Sequence, residues 1–381
     1  MPARPNVTSH FPPVKNWDKN QLHSMEIDTQ EPGFTPAQDL APVSKRPNGL
    51  DPLLDAFGTS AWQSFKNSPV AQPWRNAHRL VHNLWRWSYS KPVRLPSITQ
   101  IRESIAAIDA SSPDTGNDEV DSQAPIFILA SGWRTGSTLL QRILVTDPDV
   151  LLWGEPLGDL GLMSSITTIL AQSPTFRKLH KCTISGTPSS SSLAVSWIAN
   201  LCPPGQDFRS ALRMIVDRWL CVPSLERGFA RWGFKEVRLG APAATVLHWL
   251  YPRAKFLLLT RHPYDCYRSL ADSGWDQVYH QRPHARVDSA AEFASHWNRL
   301  VVSWSDLGPG FPCVRIRYED LVSGRTDFRA LEDWLGIKLN EQLALSAVVG
   351  RTSTRSDLTW HEKWIISRIA SQGMQSFGYS K

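Results

Sequence analysis

The feature that most constrains the fold is a short apolar run that leads into a glycine-containing loop and then into a helical stretch. The run is Ile126-Phe-Ile-Leu-Ala130, and its unbroken apolar character is typical of a strand buried on both faces of a parallel sheet. The loop carries two glycines, Gly132 and Gly136, and a helix is predicted from Thr138 to about Val145. This order predicts a βα unit of an α/β fold.

Similar apolar runs recur along the chain. We predict three more strands, at Val150–Trp153, Lys255–Thr260 and Cys313–Arg317. Helical stretches are predicted over 157–230, from about Tyr264, and over most of 327–375. Strands that alternate with helices require right-handed crossovers, which make the strands parallel. The sequence therefore predicts an α/β domain whose central parallel sheet is flanked by helices on both faces.

Composition divides the chain into three parts. Residues 1–52 are rich in polar residues and proline, and we expect a disordered leader because little apolar surface is available to offset the ordering entropy. Residues 53–120 are predicted to form a helical extension and a linker, with aromatic and arginine side chains at helical spacing over 74–89. Such a helix can contact a membrane, although packing on the main domain is commoner. The α/β domain occupies residues 121–381.

Charge and cysteine usage narrow the class of partner. The chain has 41 Lys and Arg against 35 Asp and Glu, a net charge of +6, without a basic block, zinc-finger spacing or RNA-binding signature. A small polyanionic ligand therefore fits better than nucleic acid. Five cysteines without a C-x-x-C pair fit neither a disulfide framework nor a metal site. The first residues lack the apolar segment of a signal peptide and no apolar run would span a membrane, so we expect a cytoplasmic protein.

The loop after the first strand has the chemistry of an anion site. Its glycines let backbone N–H groups point inward, and the N-terminus of the following helix adds further donors. Arg134 contributes a full charge and a planar fork that suits phosphate or sulfate oxygens. A Walker A loop requires G-x-x-x-x-G-K-[ST], but here the glycines are one residue closer together and the lysine is absent. An NTPase is therefore poorly supported.

A second cationic motif follows the predicted strand Lys255–Thr260. Arg261 stands at the strand end, Pro263 begins the next helix, and Ser269 comes eight residues after Arg261. About two helical turns bring Ser269 to the face beside the strand end, so that a guanidinium and a hydroxyl can hold one phosphate. A surface salt bridge of Arg261 is the alternative.

Both motifs resemble those of sulfotransferases that use 3′-phosphoadenosine 5′-phosphosulfate (PAPS). Trp133–Leu140 is similar to the family's 5′-phosphosulfate loop, and Arg261 with Ser269 is similar to its 3′-phosphate motif. Arginine at position 134 is typical of carbohydrate-type, tyrosylprotein-type and many microbial members. The resemblance covers residues 124–379 and implies a P-loop NTPase-like fold of three layers. The donor-binding residues that it implies are Arg134, Thr135, Gly136, Ser137, Thr138, Arg261 and Ser269, with Arg351 and Ser353 in a further nucleotide-binding loop.

The resemblance also implies catalytic residues. Glu155 stands just past the second predicted strand, where tyrosylprotein-type members have a catalytic glutamate that takes the acceptor's proton. A structural glutamate paired with an arginine is the alternative. Lys235 would bridge the phosphosulfate and the transferring sulfuryl group, and Arg134 would act with it. In the cytosolic branch a histidine is the base, and His180 and His248 are the candidates for that role here.

The predicted reaction is transfer of a sulfuryl group from PAPS to a hydroxyl or amine, with 3′,5′-ADP as product and no metal. A P-loop-type nucleotide-dependent kinase or NTPase, and an inactive nucleotide-binding module, stay open as alternatives. Carbohydrate, tyrosine-containing peptide and small hydroxylated metabolite all fit as acceptors, and the expected cytoplasmic location favours a small molecule or a glycan precursor. The sequence leaves the oligomeric state open.

Overall fold

A parallel sheet lies at the centre of the computed structural model. The structure describes residues 95–110, 124–159, 161–172, 205–272, 289–340 and 357–380, with a few isolated positions. All of these residues belong to one compact unit, Asn67–Lys381. The predicted leader, most of the 53–120 extension and of its 74–89 helix, and residues His180, Arg351 and Ser353 lie outside the described residues.

Five strands form the sheet in the described part of the chain. They are β1 (Ile126–Ala130), β2 (Val150–Trp153), β3 (Arg231–Glu236), β4 (Lys255–Thr260) and β5 (Cys313–Arg317). Their order is β2-β3-β1-β4-β5, and every neighbouring pair is parallel. All five residues of the central β1 have 0% exposure, and since side chains alternate along a strand, both faces of the sheet are covered. The predicted central parallel sheet with flanking helices is confirmed.

Helices link the strands and cover the sheet. In chain order they are α1 (Ile98–Ala110), α2 (Ser137–Leu144), α3 (Pro156–Asp159), α4 (Leu162–Gln172), α5 (Gly205–Val216), α6 (Val222–Leu225), α7 (Ala241–Leu250), α8 (Pro263–Asp272), α9 (Ala290–Ser303), α10 (Tyr318–Val322), α11 (Phe328–Leu335), α12 (Trp360–Ile369) and α13 (Ser371–Ser376). A π-helical turn, Asp217–Cys221, joins α5 to α6, and a 3₁₀ turn, Trp304–Leu307, follows α9. The helices that the structure describes are too short or too polar to span a bilayer.

Phe127 of β1 is the centre of the aromatic core. Its ring centroid lies 4.5 Å from that of Phe234 on β3 and 5.3 Å from that of Phe256 on β4. The strand register places the same three residues side by side. Burial of large aromatic side chains at this point stabilises the contact between the three middle strands, whose carboxyl ends carry the loops described below.

Strand β3 is the strand of the described sheet that the sequence pattern did not predict. Arg231, Lys235 and Glu236 interrupt the apolar run, yet the strand lies between β2 and β1. Distant groups compensate the charges: the Arg231 guanidinium donates to the carbonyl oxygens of Ala124, at 3.0 Å, and Leu335, at 3.1 Å. Buried charges are tolerated where such partners exist, and no local pattern reveals them.

Candidate active site

The loop at the carboxyl end of β1 has an unusual backbone. Gly132, Arg134 and Gly136 have φ angles of 142°, 63° and 87°. For Arg134 this left-handed conformation costs about 1–2 kcal/mol, which the surrounding contacts must offset. Buried Thr135 closes the loop, because its Oγ1 donates to the carbonyl oxygen of Gly132 at 3.0 Å. We call residues 131–136 the phosphate loop.

Helix α2 begins directly after the phosphate loop. Its preceding residue, Gly136, has no side chain to cap the helix, so the N–H groups of the first turn point to the loop and can bind an anion. Ser137 is buried and Thr138 is exposed in that first turn. The strand–loop–helix unit therefore has the geometry that the sequence predicted, with α2 starting one residue earlier than expected.

The two cationic motifs meet at adjacent strand ends. Arg134 Nε donates to Ser269 Oγ at 3.0 Å, and Arg261 Nη1 donates to the carbonyl oxygen of Arg134 at 3.1 Å. Ser269 lies on α8, the helix that follows β4. The phosphate loop, Arg261 and Ser269 therefore form one connected group at the carboxyl ends of β1 and β4.

Tyr318, the first residue of α10, packs against both cationic motifs. A Cβ atom on Gly136 would lie 2.5 Å from Tyr318 Cε2 and closer still to Cδ2, so the ring packs directly on the phosphate loop. The Arg261 guanidinium lies 4.3 Å from the centroid of the same ring. One aromatic side chain of α10 therefore contacts both motifs.

The backbone after Arg261 is held by buried polar groups. The N–H of His262 donates to Glu319 Oε1 at 2.8 Å, and the Tyr379 hydroxyl donates to Glu319 Oε2 at 2.9 Å. On the other side, Trp297 Nε1 donates to the carbonyl oxygen of Arg261 at 3.2 Å. None of these three partners was recognised from the sequence, because each lies far along the chain from position 261.

Glu155 lies between two cations at the ends of β2 and β3. Lys235 Nζ binds one carboxylate oxygen, and Arg238 Nη1 binds the other at 2.8 Å. The Lys235 and Arg238 side chains are 11% and 13% exposed, so water screens these ion pairs only partly. The Arg238 guanidinium also lies 5.5 Å from the centroid of Trp133 in the phosphate loop. Glu155, Lys235 and Arg238, which we call the Glu155 cluster, therefore lie next to the phosphate loop.

His296 is a further residue that sequence reasoning missed. Its ring is buried on α9 and stacks on Trp133, with 4.6 Å between centroids and 28° between planes. Burial, and then the nearby Arg299, lower the pKa of His296 to about 3. No motif marks this position, since a single histidine in a helical stretch is most often an ordinary core residue.

The structure places His248 away from this site. His248 is on α7, and its ring centroid lies 6.3 Å from that of Phe256, near the start of β4, and 5.2 Å from that of Phe311. Arg261 follows the other end of β4, about 16 Å along a strand that rises roughly 3.3 Å per residue. His248 therefore lies near the amino end of β4, away from the strand end that Arg261 follows. Among the described residues, no group of three or more His, Cys, Asp or Glu side chains is arranged to hold a metal ion.

Comparison with known proteins identifies the family. The chain is similar to solved bacterial sulfotransferases. One is a domain of the olefin synthase from Synechococcus PCC 7002, with 21% identity, coverage of 71% of this chain and 98% of that chain, and a TM-score of 0.35. Two others are from Alicyclobacillus acidocaldarius, with 13% identity, coverage of 67% and 94% and a TM-score of 0.37, and from Mycobacterium avium, with 13% identity, coverage of 77% and 89% and a TM-score of 0.38. No curated protein matches it. The model of the sulfotransferase family matches residues 125–341, more than half of the 381 residues. The chain belongs to the sulfotransferase family.

Proposed function

We propose that the protein transfers a sulfuryl group from PAPS to a hydroxyl or amine of a small-molecule or glycan acceptor in the cytoplasm. The observation that carries the choice of donor is the hydrogen-bonded group formed by Arg134, Arg261 and Ser269 at two adjacent strand ends. A donor with phosphates on both its 3′ and 5′ positions needs two anion sites close together. In an open α/β sheet, ligands bind at the carboxyl ends of the strands, which is where this group lies.

Each end of the donor has a proposed partner. The α2 N-terminus and Arg134 would bind the 5′-phosphosulfate, since amide donors and a guanidinium both favour sulfate and phosphate oxygens. Arg261 and Ser269 would bind the 3′-phosphate. The exposed Arg134 side chain then leaves Ser269, which it contacts at 3.0 Å, and turns towards the phosphosulfate. Tyr318 supports Arg261 during this exchange because its ring keeps the guanidinium beside the loop.

The chemical step is an in-line displacement at sulfur. A bond forms between the acceptor oxygen or nitrogen and sulfur, and the bond between sulfur and the bridging oxygen breaks, leaving the electron pair on 3′,5′-ADP. Arg134, Lys235 and the first amides of α2 stabilise the negative charge that grows on the bridging oxygen. Glu155 takes the acceptor's proton, a role typically worth about 10²–10⁴-fold.

The ion pairs of Glu155 suggest how its role depends on the donor. Lys235 and Arg238 occupy both carboxylate oxygens. When Lys235 moves to the phosphosulfate, one oxygen of Glu155 becomes available to the acceptor, while Arg238 keeps the other in place. The base is then active only when the donor is bound, which limits the loss of the sulfuryl group to water.

Ligand binding tests the choice of donor. We expect 3′,5′-ADP to raise the unfolding temperature and ATP with Mg²⁺ to have no comparable effect. Replacement of Arg261 by Ala should weaken the binding of 3′,5′-ADP by about 10- to 100-fold, because one charge-assisted hydrogen bond is lost. The binding of 5′-AMP should weaken much less. Arg268→Ala is the matched control, because that arginine lies on α8, next to Ser269 in the chain, but pairs with Asp265 at 2.6 Å and should leave binding unchanged.

Transfer itself is followed with PAPS and a panel of acceptors, by mass spectrometry of the product for the gain of one SO₃ group. Stabilisation by ATP with Mg²⁺ but not by 3′,5′-ADP would favour a kinase and overturn the proposal. Tight binding of 3′,5′-ADP without transfer to any acceptor or to water would instead indicate an inactive nucleotide-binding protein.

A further inference from the structure

His296 touches both halves of the proposed site. Its ring stacks on Trp133, the residue before Arg134, and a Cβ atom on Gly132 would lie 3.5 Å from its Cδ2. On its other edge, Nε2 lies 3.0 Å from the carbonyl oxygen of Val237, which is between Lys235 and Arg238 in the chain. One side chain of α9 therefore contacts the phosphate loop after β1 and the cationic segment after β3.

The hydrogen bonds determine the tautomer of His296. Arg299 Nη2 lies 3.1 Å from His296 Nδ1, and because a guanidinium only donates, Nδ1 must accept. The ring proton is then on Nε2, which donates to Val237. Burial, Arg299 and Arg238 together disfavour the charged ring and lower the pKa of His296 to about 3. The neutral imidazole thus has one donor and one acceptor, and both are used.

The stack continues through Trp133 to Arg238. The Arg238 guanidinium lies 5.5 Å from the Trp133 ring, and its Nη1 holds Glu155 at 2.8 Å. Val237 and Arg238 are neighbours in the chain. His296 therefore contacts this segment directly, at the carbonyl oxygen of Val237, and indirectly, through the Trp133 ring that packs on Arg238. Movement of the His296 ring would shift the phosphate loop relative to the Glu155 cluster.

We infer that His296 is a positioning residue for sulfuryl transfer, which sets the phosphate loop relative to the segment that carries Lys235 and Arg238. This inference rests on the proposed function. The loop and the segment come from different strand ends, and the transition state must contact both. A displacement of about 1 Å at a reacting centre can cost about 10²-fold in rate. A single residue that ties the two parts together is therefore expected to affect turnover more than donor binding.

Two substitutions separate the contacts of His296. His296→Phe keeps a ring beside Trp133 but removes the donor to Val237 and the acceptor for Arg299. His296→Gln can keep an N–H directed at Val237. We expect His296→Phe to lower kcat by about 10- to 100-fold while the Kd of 3′,5′-ADP changes by less than about threefold, and His296→Gln to recover most of the lost kcat.

The control is the same substitution at another buried histidine. His361 on α12 is 6% exposed and contacts Thr359 Oγ1 at 3.3 Å. His361→Phe should lower the unfolding temperature without lowering kcat. Turnover is measured as release of 3′,5′-ADP from PAPS, with the best acceptor of the panel or with water, at a temperature where circular dichroism shows every variant folded.

The outcomes are distinct. If the natural protein neither binds 3′,5′-ADP nor releases it from PAPS, the proposed function fails, and the inference about His296 with it. If the natural protein turns over and His296→Phe keeps the same kcat, or loses kcat and 3′,5′-ADP affinity equally with no recovery in His296→Gln, the positioning role is overturned and the proposed function stands.

Discussion

Replacement of Gly136 by Ala tests the contact between the phosphate loop and Tyr318, on which the proposed donor site depends. Gly136 has a φ angle of 87°, in the left-handed region, and a Cβ atom there would lie 2.5 Å from Tyr318 Cε2. The substitution therefore adds two penalties, backbone strain and overlap with an aromatic ring. The strain costs about 1–2 kcal/mol and the overpacking about 1–3 kcal/mol, so we expect the free energy of unfolding to fall by about 2–5 kcal/mol.

The chain offers a matched control for the backbone penalty. Gly228 has a φ angle of 86°, and nothing lies within 4 Å of a Cβ atom built there. Gly228→Ala should therefore lose only about 1–2 kcal/mol. Urea denaturation gives both free energies, and their difference isolates the contact with Tyr318. The double variant Gly136→Ala with Tyr318→Ala should show a favourable coupling of about 1–3 kcal/mol, because the ring that is overlapped has been removed.

Donor binding provides the second measurement. A ring displaced by the new methyl group no longer supports Arg261 at 4.3 Å, and the first amides of α2 move with residue 136. We expect Gly136→Ala to weaken the binding of 3′,5′-ADP by about tenfold or more, which corresponds to the loss of one charge-assisted contact. Gly228→Ala should leave the affinity unchanged. Equal losses of stability in the two single variants, together with equal affinity for 3′,5′-ADP, would refute the packing of Tyr318 on the phosphate loop as a determinant of the site.

Three further predictions concern single side chains. Glu155→Gln should keep the affinity for 3′,5′-ADP and lower kcat by about 10²–10⁴-fold, and an unchanged kcat would remove Glu155 from the chemistry. The pKa of His296 is about 3 in the folded state, whereas the ordinary value is 6.5. Below pH 6.5 the unfolded chain therefore takes up a proton that the folded chain excludes, and the free energy of unfolding decreases as the pH is lowered. Between pH 8 and pH 5 the natural protein should lose about 2 kcal/mol more unfolding free energy than His296→Gln, and equal losses would contradict a neutral ring. Tyr379→Phe removes the hydroxyl that donates to Glu319 at 2.9 Å and should cost about 1–3 kcal/mol in urea denaturation, whereas an unchanged midpoint would show that other groups satisfy the carboxylate.

Local patterns were enough for most of the sheet and for the outlines of the site. The strands at Ile126–Ala130 and Lys255–Thr260 could be predicted because a parallel strand buried on both faces needs an unbroken apolar run. The phosphate loop could be predicted because glycines and a helix start are encoded within a few residues. The approach of Ser269 to the end of β4 follows from the helical repeat, which is also local.

Tertiary structure decided which of these parts touch. Strand β3 carries charges that distant partners neutralise, and its place between β2 and β1 brings Lys235 and Arg238 to Glu155. The contacts of Tyr318 with Gly136, and of His296 with Trp133, join residues more than 150 positions apart. Short stretches of sequence determine backbone conformation because sterics and hydrogen bonds act between near neighbours. The contacts that assemble the site depend instead on strand order and side-chain packing, which belong to the whole chain.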